Sequence, residues 1–292
     1  MMYYLLYSII RILSHIPFRV MYFISDCLFY LVYYVFRYRR RIVRKNLTES
    51  FTSKSEKEII KIEKQFYHFF VDMILESVKL ASASKDEIKR RMSFKNIEEV
   101  NETLKQGKSI SLYLGHYANW EWCSSIPLHL ESDVTSAQIY HKLSNQNMDR
   151  LMLYIRERMG AVCVDMRKTA RYATELVANR KVCIIGFIAD QSPKRVESHH
   201  FLHFLNHNTP VLTGTEKITK HYGFEAFFLN VKRVKRGYYE AEFIKLHDNP
   251  QSLPDYELTS LYYRMLEKCI NTHPELYLWS HNRFRNAEIL NK

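Results

Sequence analysis

The chain has 292 residues and a formal net charge of +12 at pH 7. With only 7 Gly and 7 Pro, it suits one large catalytic-size domain with appendages and leaves no room for long flexible linkers or low-complexity tracts. The charge does not describe a nucleic-acid surface, because residues 1–45 hold eight Lys or Arg against one acid, Asp26, while the remainder is close to balance. The five cysteines are odd in number, scattered and never spaced C-x-x-C. That pattern suggests neither a disulfide framework nor a thiolate zinc site, and favours a reducing compartment.

The N-terminus reads MMYYLLYSIIRILSHIP and then FRVMYFISDCLFYLVYYVF, followed at once by RYRRRIVRK. Residues 20–36 contain one charge, Asp26, and as a helix would extend roughly 25 Å, slightly short of a bilayer core. Such a segment either spans a membrane or lies half-immersed in it. No Lys or Arg precedes the first apolar run and no small-residue cleavage site follows, so the segment is expected to remain attached as an anchor. Tyr22, Tyr30, Tyr33, Tyr34 and Tyr38 suit a membrane interface. Arg37, Arg39, Arg40, Arg41, Arg44 and Lys45 form a basic collar without a compensating acid, expected on the cytoplasmic side and attracted to anionic headgroups. The alternative is an amphipathic helix pair packed on a soluble core.

Residues 55–80 have apolar positions at helical spacing, with Ser55 as N-cap and Glu58 completing a capping box. Residues 82–92 and 97–105 read as shorter helices. Strands at 110–114, 135–140, 162–165 and 182–189 then alternate with helices at 120–130, 147–159, 169–179 and near 214–221. A strand pair at 227–231 and 239–244 turns at Lys235, Arg236 and Gly237. This order predicts an α/β fold with a mostly parallel sheet flanked by helices, preceded by N-terminal hydrophobic anchoring helices. Residues 1–45 are assigned to anchor and collar, and 46–292 to the catalytic domain. Ligands in such folds sit at the carboxyl ends of strands. No P-loop or G-x-G-x-x-G is present.

His116 lies where that rule places a site, after the strand 110–114 and Gly115. Of 13 histidines it alone has an acid five positions on, Glu121. With Asn119 capping the next helix, a turn folds His116 back over Glu121. A carboxylate on one imidazole nitrogen fixes the tautomer and leaves the other free to accept a hydroxyl proton. Arg156 and Arg158 are candidates to clamp an acidic group or a thioester oxyanion, against solvated helix arginines. Asp190 and Gln191 follow the strand 182–189, with Asp190 expected to hold an arginine or a substrate hydroxyl. Asn145 precedes the helix carrying the arginines and is also read as its cap. His199, His200, His203 and His207 would align three imidazoles on a helix, but with Glu197 the only acid nearby a metal site is set aside.

GHYANWEW resembles the H-x4-[DE] block of the bacterial lipid A biosynthesis (late) acyltransferase family. RRRIVRKNLTESF, NQNMDRLMLYIRERMG, IADQSPK, FLNHNTPVLTGTEKITK and PELYLWSHNRFR are similar to further segments in the family's order, so the likeness covers nearly the whole chain. It implies a glycerolipid acyltransferase-like fold at the cytoplasmic face of the inner membrane, moving a fatty acyl group from acyl carrier protein or acyl-CoA to a lipid hydroxyl. His116 would be the general base and Glu121 its orienting partner. Asn145, Arg156, Arg158, Asp190 and Gln191 would bind substrate. No metal or bound cofactor is implied; the partners are membrane lipids and acyl carrier protein, with no nucleic acid. Where the family often has F-F-G, this chain has Phe204, Leu205 and Asn206, and Asn tolerates a left-handed turn. The competing readings are an acyltransferase for a glycerophospholipid or aminolipid, a non-catalytic lipid-binding protein, and a hydrolase, the last disfavoured because no G-x-S-x-G elbow is present.

Overall fold

The computed structural model describes residues 2–131, 134–193 and 200–290. Helix α1 (Met2–His15) ends before Pro17, whose ring cannot continue it, and α2 (Phe18–Tyr30) runs on through a π-helical turn, Leu31–Val35. After α3 (Arg40–Ser50) comes α4 (Glu56–Lys79), opened by the expected capping box, with Ser55 accepting from the Glu58 amide and Glu58 from the Ser55 amide. The apolar face of α4, including Ile59, Ile62, Phe66, Phe69 and Met73, is buried. All three preceding helices pack on α4.

The chain continues through α5 (Lys85–Arg91), β1 (Met92–Lys95), α6 (Ile97–Lys105), β2 (Ile110–Leu114) and a 3₁₀ run, Trp120–His129. Next come β3 (Thr135–Tyr140), α7 (Gln146–Glu157), β4 (Val162–Asp165), α8 (Thr169–Ala178) and β5 (Cys183–Ile188). The remainder is β6 (Phe201–Phe204), β7 (His207–Pro210), α9 (Gly214–Tyr222), β8 (Glu225–Lys235), β9 (Tyr238–His247), α10 (Glu257–Thr272) and β10 (Glu288–Ile289). The main sheet has the order β1-β9-β8-β2-β5-β3-β4, parallel throughout except for the β8–β9 hairpin. The fold is therefore the mixed α/β architecture expected, with β2 and β5 as central neighbours. The helix expected over 120–130 is instead wound as 3₁₀, and it contains Pro127, which lacks the N–H an α-helical bond requires.

The N-terminal helices are tied to the rest by polar contacts that their sequence did not announce. Tyr22 donates to Glu76 Oε1 at 2.8 Å, Ser25 to Asp72 Oδ1 at 2.6 Å and Tyr33 to Glu63 Oε1 at 2.9 Å. Tyr22 and Tyr33 thus face protein rather than a membrane interface, whereas Tyr30, Tyr34 and Tyr38 are exposed. The collar also has its acid: Arg40 and Arg44 both close on buried Glu63. A second cluster joins three elements, with Arg236 of the β8–β9 turn donating to Asp26 and Asp72, and Arg233 to Asp72. Asp72→Ala is expected to lower the unfolding free energy by about 2 kcal/mol, less than for a fully buried pair because both arginines keep contact with water. Urea denaturation measures it; a change below about 0.5 kcal/mol would show that the cluster does not hold the helices.

Candidate active site

The site forms where two neighbouring parallel strands end. All five residues of β2 are buried, and at Gly115 a Cβ would lie 2.5 Å from Leu266 Cδ1, so α10 approaches the strand end more closely than a side chain would allow. Two adjacent tyrosines of α10 fix both strand ends. Tyr262 donates to the Leu114 carbonyl at 2.7 Å and Tyr263 to the Ala189 carbonyl at 2.9 Å. His116 and Asp190 follow directly.

One oxygen of Asp190 accepts from the His116 backbone N–H at 3.1 Å and from its ring Nδ1 at 2.8 Å. The carboxylate places the ring proton on Nδ1 and leaves the lone pair on Nε2, which is 3.2 Å from the Gln191 amide nitrogen. Burial on its own would raise the Asp190 carboxyl, but the His116 ring, its two hydrogen bonds and the charge of Arg283 hold it below the usual carboxylate range. Trp120 stands edge-on to the imidazole with ring centroids 5.2 Å apart. His116 and Gln191 line a cavity of about 920 Å³ whose walls include Leu112, Ile184 and Met152, with Arg167 and Arg285 also lining it.

Glu121 lines the same cavity but does not orient His116. Its Oε2 accepts from Arg156 Nε at 2.8 Å and its Oε1 from Nη2 at 2.6 Å. A bidentate guanidinium outcompetes a neutral imidazole for a carboxylate, and Arg156 reaches Glu121 from α7, an element whose approach the spacing of His116 and Glu121 cannot reveal.

The sequence profile of the bacterial lipid A biosynthesis acyltransferase family matches residues 1–286. The chain belongs to this family. It is an acyltransferase, and its apolar helix over residues 18–35 fits the family's membrane association. No curated protein matches the chain.

The acyltransferase's other expected site residues divide. Gln191 and Arg156 are at the cavity, and Asp190 holds His116 rather than an arginine or substrate hydroxyl. Arg158 is elsewhere, donating to the carbonyls of Leu80 and Ala83 and so tying the end of α7 to the end of α4. Asn145 is an exposed N-cap whose side chain accepts from the Asn147 and Met148 amides. The helix-N-terminal amide of Trp122 is likewise taken by Asn119.

His203 and His207 lie on the two strands of a hairpin, not on a helix, and the turn between them sets His203 opposite Asn208 and His207 opposite Phe204, so the two imidazoles fall on opposite faces. His199 lies outside the described residues. His200 stacks on Tyr256, His203 is exposed, and buried His207 bonds the Leu205 carbonyl through Nδ1. Among the described residues no group of three or more His, Cys, Asp or Glu is placed to hold a metal. The turn survives without glycine, Leu205 and Asn206 both adopting positive φ, 49° and 62°.

Two contributions escaped the sequence reading. His281 lines the cavity, and burial pushes its pKa down to about 4, so it is neutral at pH 7. Its Nδ1 is buried without a hydrogen-bond partner among the described residues. The WSHNRFR segment was the available signal, but nothing local in it pointed to the cavity. Glu76 is the other. Its carboxylate accepts from Asn119, Tyr22 and Tyr239, and its carbonyl from the Trp122 indole, which fixes the turn between His116 and Glu121.

Burial raises Glu76 from 4.5 to about 7, against the tyrosine hydrogen bonds that lower it. A carboxyl raised on folding contributes its full stability below pH 4.5 and loses it as pH climbs through about 7. Urea unfolding of the parent should therefore weaken by about 2–3 kcal/mol between pH 4.5 and 8 relative to Glu76→Gln, which lacks the titration. Parallel profiles for the two proteins would refute a raised Glu76.

Proposed function

We propose that this acyltransferase moves a fatty acyl chain from a thioester carrier, acyl carrier protein or acyl-CoA, to a hydroxyl of a lipid A precursor, at the cytoplasmic face of the inner membrane and without a bound cofactor. The observation that carries this reading is the 2.8 Å contact between Asp190 and His116 Nδ1 at the wall of a largely apolar cavity. Nε2 takes the acceptor's hydroxyl proton as the oxygen attacks the thioester carbonyl. The tetrahedral intermediate then expels the thiolate, which receives that proton from the imidazolium, leaving an ester and a free thiol. Asp190 keeps the ring oriented and stabilises its charged form.

Arg156 is closed on Glu121 and the Trp122 amide is capped, so neutral His281 is the group we assign to the developing oxyanion. The Glu121–Arg156 pair shapes the wall against which substrate binds. Exposed Arg167 and Arg285 beside the cavity suit acidic carriers and the phosphates of a lipid A precursor. Apolar walls favour a lipid alcohol over water.

Lipid mass spectrometry of a deletion strain tests the acceptor: one acyl chain should be missing from lipid A and restored by the parent but not by His116→Ala. Loss of a chain from a glycerophospholipid or aminolipid instead would transfer the activity to that acceptor, and unchanged lipids throughout would refute it. In purified enzyme, Asp190→Asn should lower kcat by roughly 10²–10⁴ with KM little changed, whereas Glu121→Gln should act mainly on KM. The reverse pattern would return Glu121 to the role of orienting group.

A further inference from the structure

The apolar segment of residues 18–35 has the length and composition to cross a membrane, yet its side chains divide along two stripes. Met21, Ser25, Phe29 and Tyr33, four apart, are buried against protein. Val20, Phe23, Cys27, Tyr30, Leu31 and Val35 are exposed on the other side, with one exposed cation, Arg19, at the N-terminal end of that stripe. The buried side is fixed along its whole length: Tyr22 to Glu76, Ser25 to Asp72, Asp26 to Arg236 and Tyr33 to Glu63. At the β8–β9 turn a Cβ on Gly237 would fall 2.0 Å from the Tyr22 hydroxyl, so no lipid fits between the turn and the helix.

A spanning orientation would carry this flank, with Asp72, Arg233, Arg236 and a sheet hairpin, into hydrocarbon, or would break every one of these bonds. We infer that α1 and α2 lie in the plane of the membrane, sunk into one leaflet of an anionic bilayer on the side that carries the catalytic domain, and do not cross it.

Charge identifies the occupant of the apolar face. Arg40 and Arg44 share Glu63, but Arg37, Arg41 and Lys45 are exposed and line an open groove immediately after the apolar stripe. A helical face that is apolar from Val20 to Val35 and has exposed cations at both ends, Arg19 before it and Arg37, Arg41 and Lys45 after it, matches acyl chains beneath acidic headgroups. The position also serves the site. α7 has Arg150 and Tyr154 against Tyr3 and Tyr7 of α1, and Met148, Met152 and Arg156 on the cavity. One helix, about 10 Å across, therefore separates the membrane-facing pair from the cavity, so a lipid acceptor has only a short path from leaflet to His116.

This inference goes beyond the acyl-transfer reading and does not depend on it, because its readouts are topological. In sealed inverted inner-membrane vesicles holding the full chain, added protease should digest an N-terminal epitope and the catalytic domain together, and in right-side-out vesicles neither. Digestion of the two from opposite sides would overturn it. Purified full chain should also sediment with phosphatidylcholine–phosphatidylglycerol vesicles. Phe23→Glu with Leu31→Glu, both exposed, should reduce that binding at least tenfold, and Arg37→Glu, Arg41→Glu and Lys45→Glu combined by about a hundredfold, without lowering Tm. Undiminished vesicle binding, or a dimer dissociated by Phe23→Glu and Leu31→Glu in place of lost binding, would overturn it in favour of a second copy on that face.

Discussion

A buried carboxylate persists in a protein when hydrogen bonds and nearby positive charge offset its lost hydration, and at the centre of this fold that condition is met by His116. Asp190 is 1% exposed and uses one oxygen to hold both the backbone and the ring of His116. The contact exists because β2 and β5 are parallel neighbours in register, so that their carboxyl ends emerge side by side. It stays narrow because α10 presses on Gly115 and pins the carbonyls of Leu114 and Ala189 with successive tyrosines. Position and ring orientation of His116 thus follow from one strand pairing and one helix.

The Glu121–Arg156 part of the cavity wall is built differently. Glu121 and Arg156 satisfy each other in direct contact, so their charges are spent on geometry. Behind them Glu76 is held by three neutral donors and, among the described residues, by no cation, two of the donors being tyrosines from α2 and β9. Through Glu76 the N-terminal helices reach Asn119 and the turn that begins at His116. The apolar N-terminal segment is consequently in mechanical contact with the turn that carries His116.

This continuity gives the basic, aromatic N-terminus a coherent meaning. Its charge is partly internal, with Arg40 and Arg44 closed on Glu63, and partly outward, beside an apolar stripe. Under the proposed acyl transfer, a cavity one helix away from an apolar N-terminal face would spare a lipid acceptor a passage through water.

Local pattern determined a good deal here: the capping box of α4, the Asn119 cap, the strand and helix order, the turn at Arg236 and Gly237, and the placing of His116 and Gln191 at strand ends. These are properties of period, cap and turn chemistry that neighbours in sequence decide. Which acid meets the imidazole was not among them. Asp190 is 74 residues from His116 and is brought to it by sheet register, while Glu121, five positions away, is claimed by a guanidinium from another helix. The collar's hidden acid, the inward turn of Tyr22 and Tyr33, and the arrival of His281 at the cavity belong to the same class. Only tertiary structure settles them, because an ion pair or a buried hydroxyl is decided by which groups compete for it in space, and sequence separation carries no record of that competition.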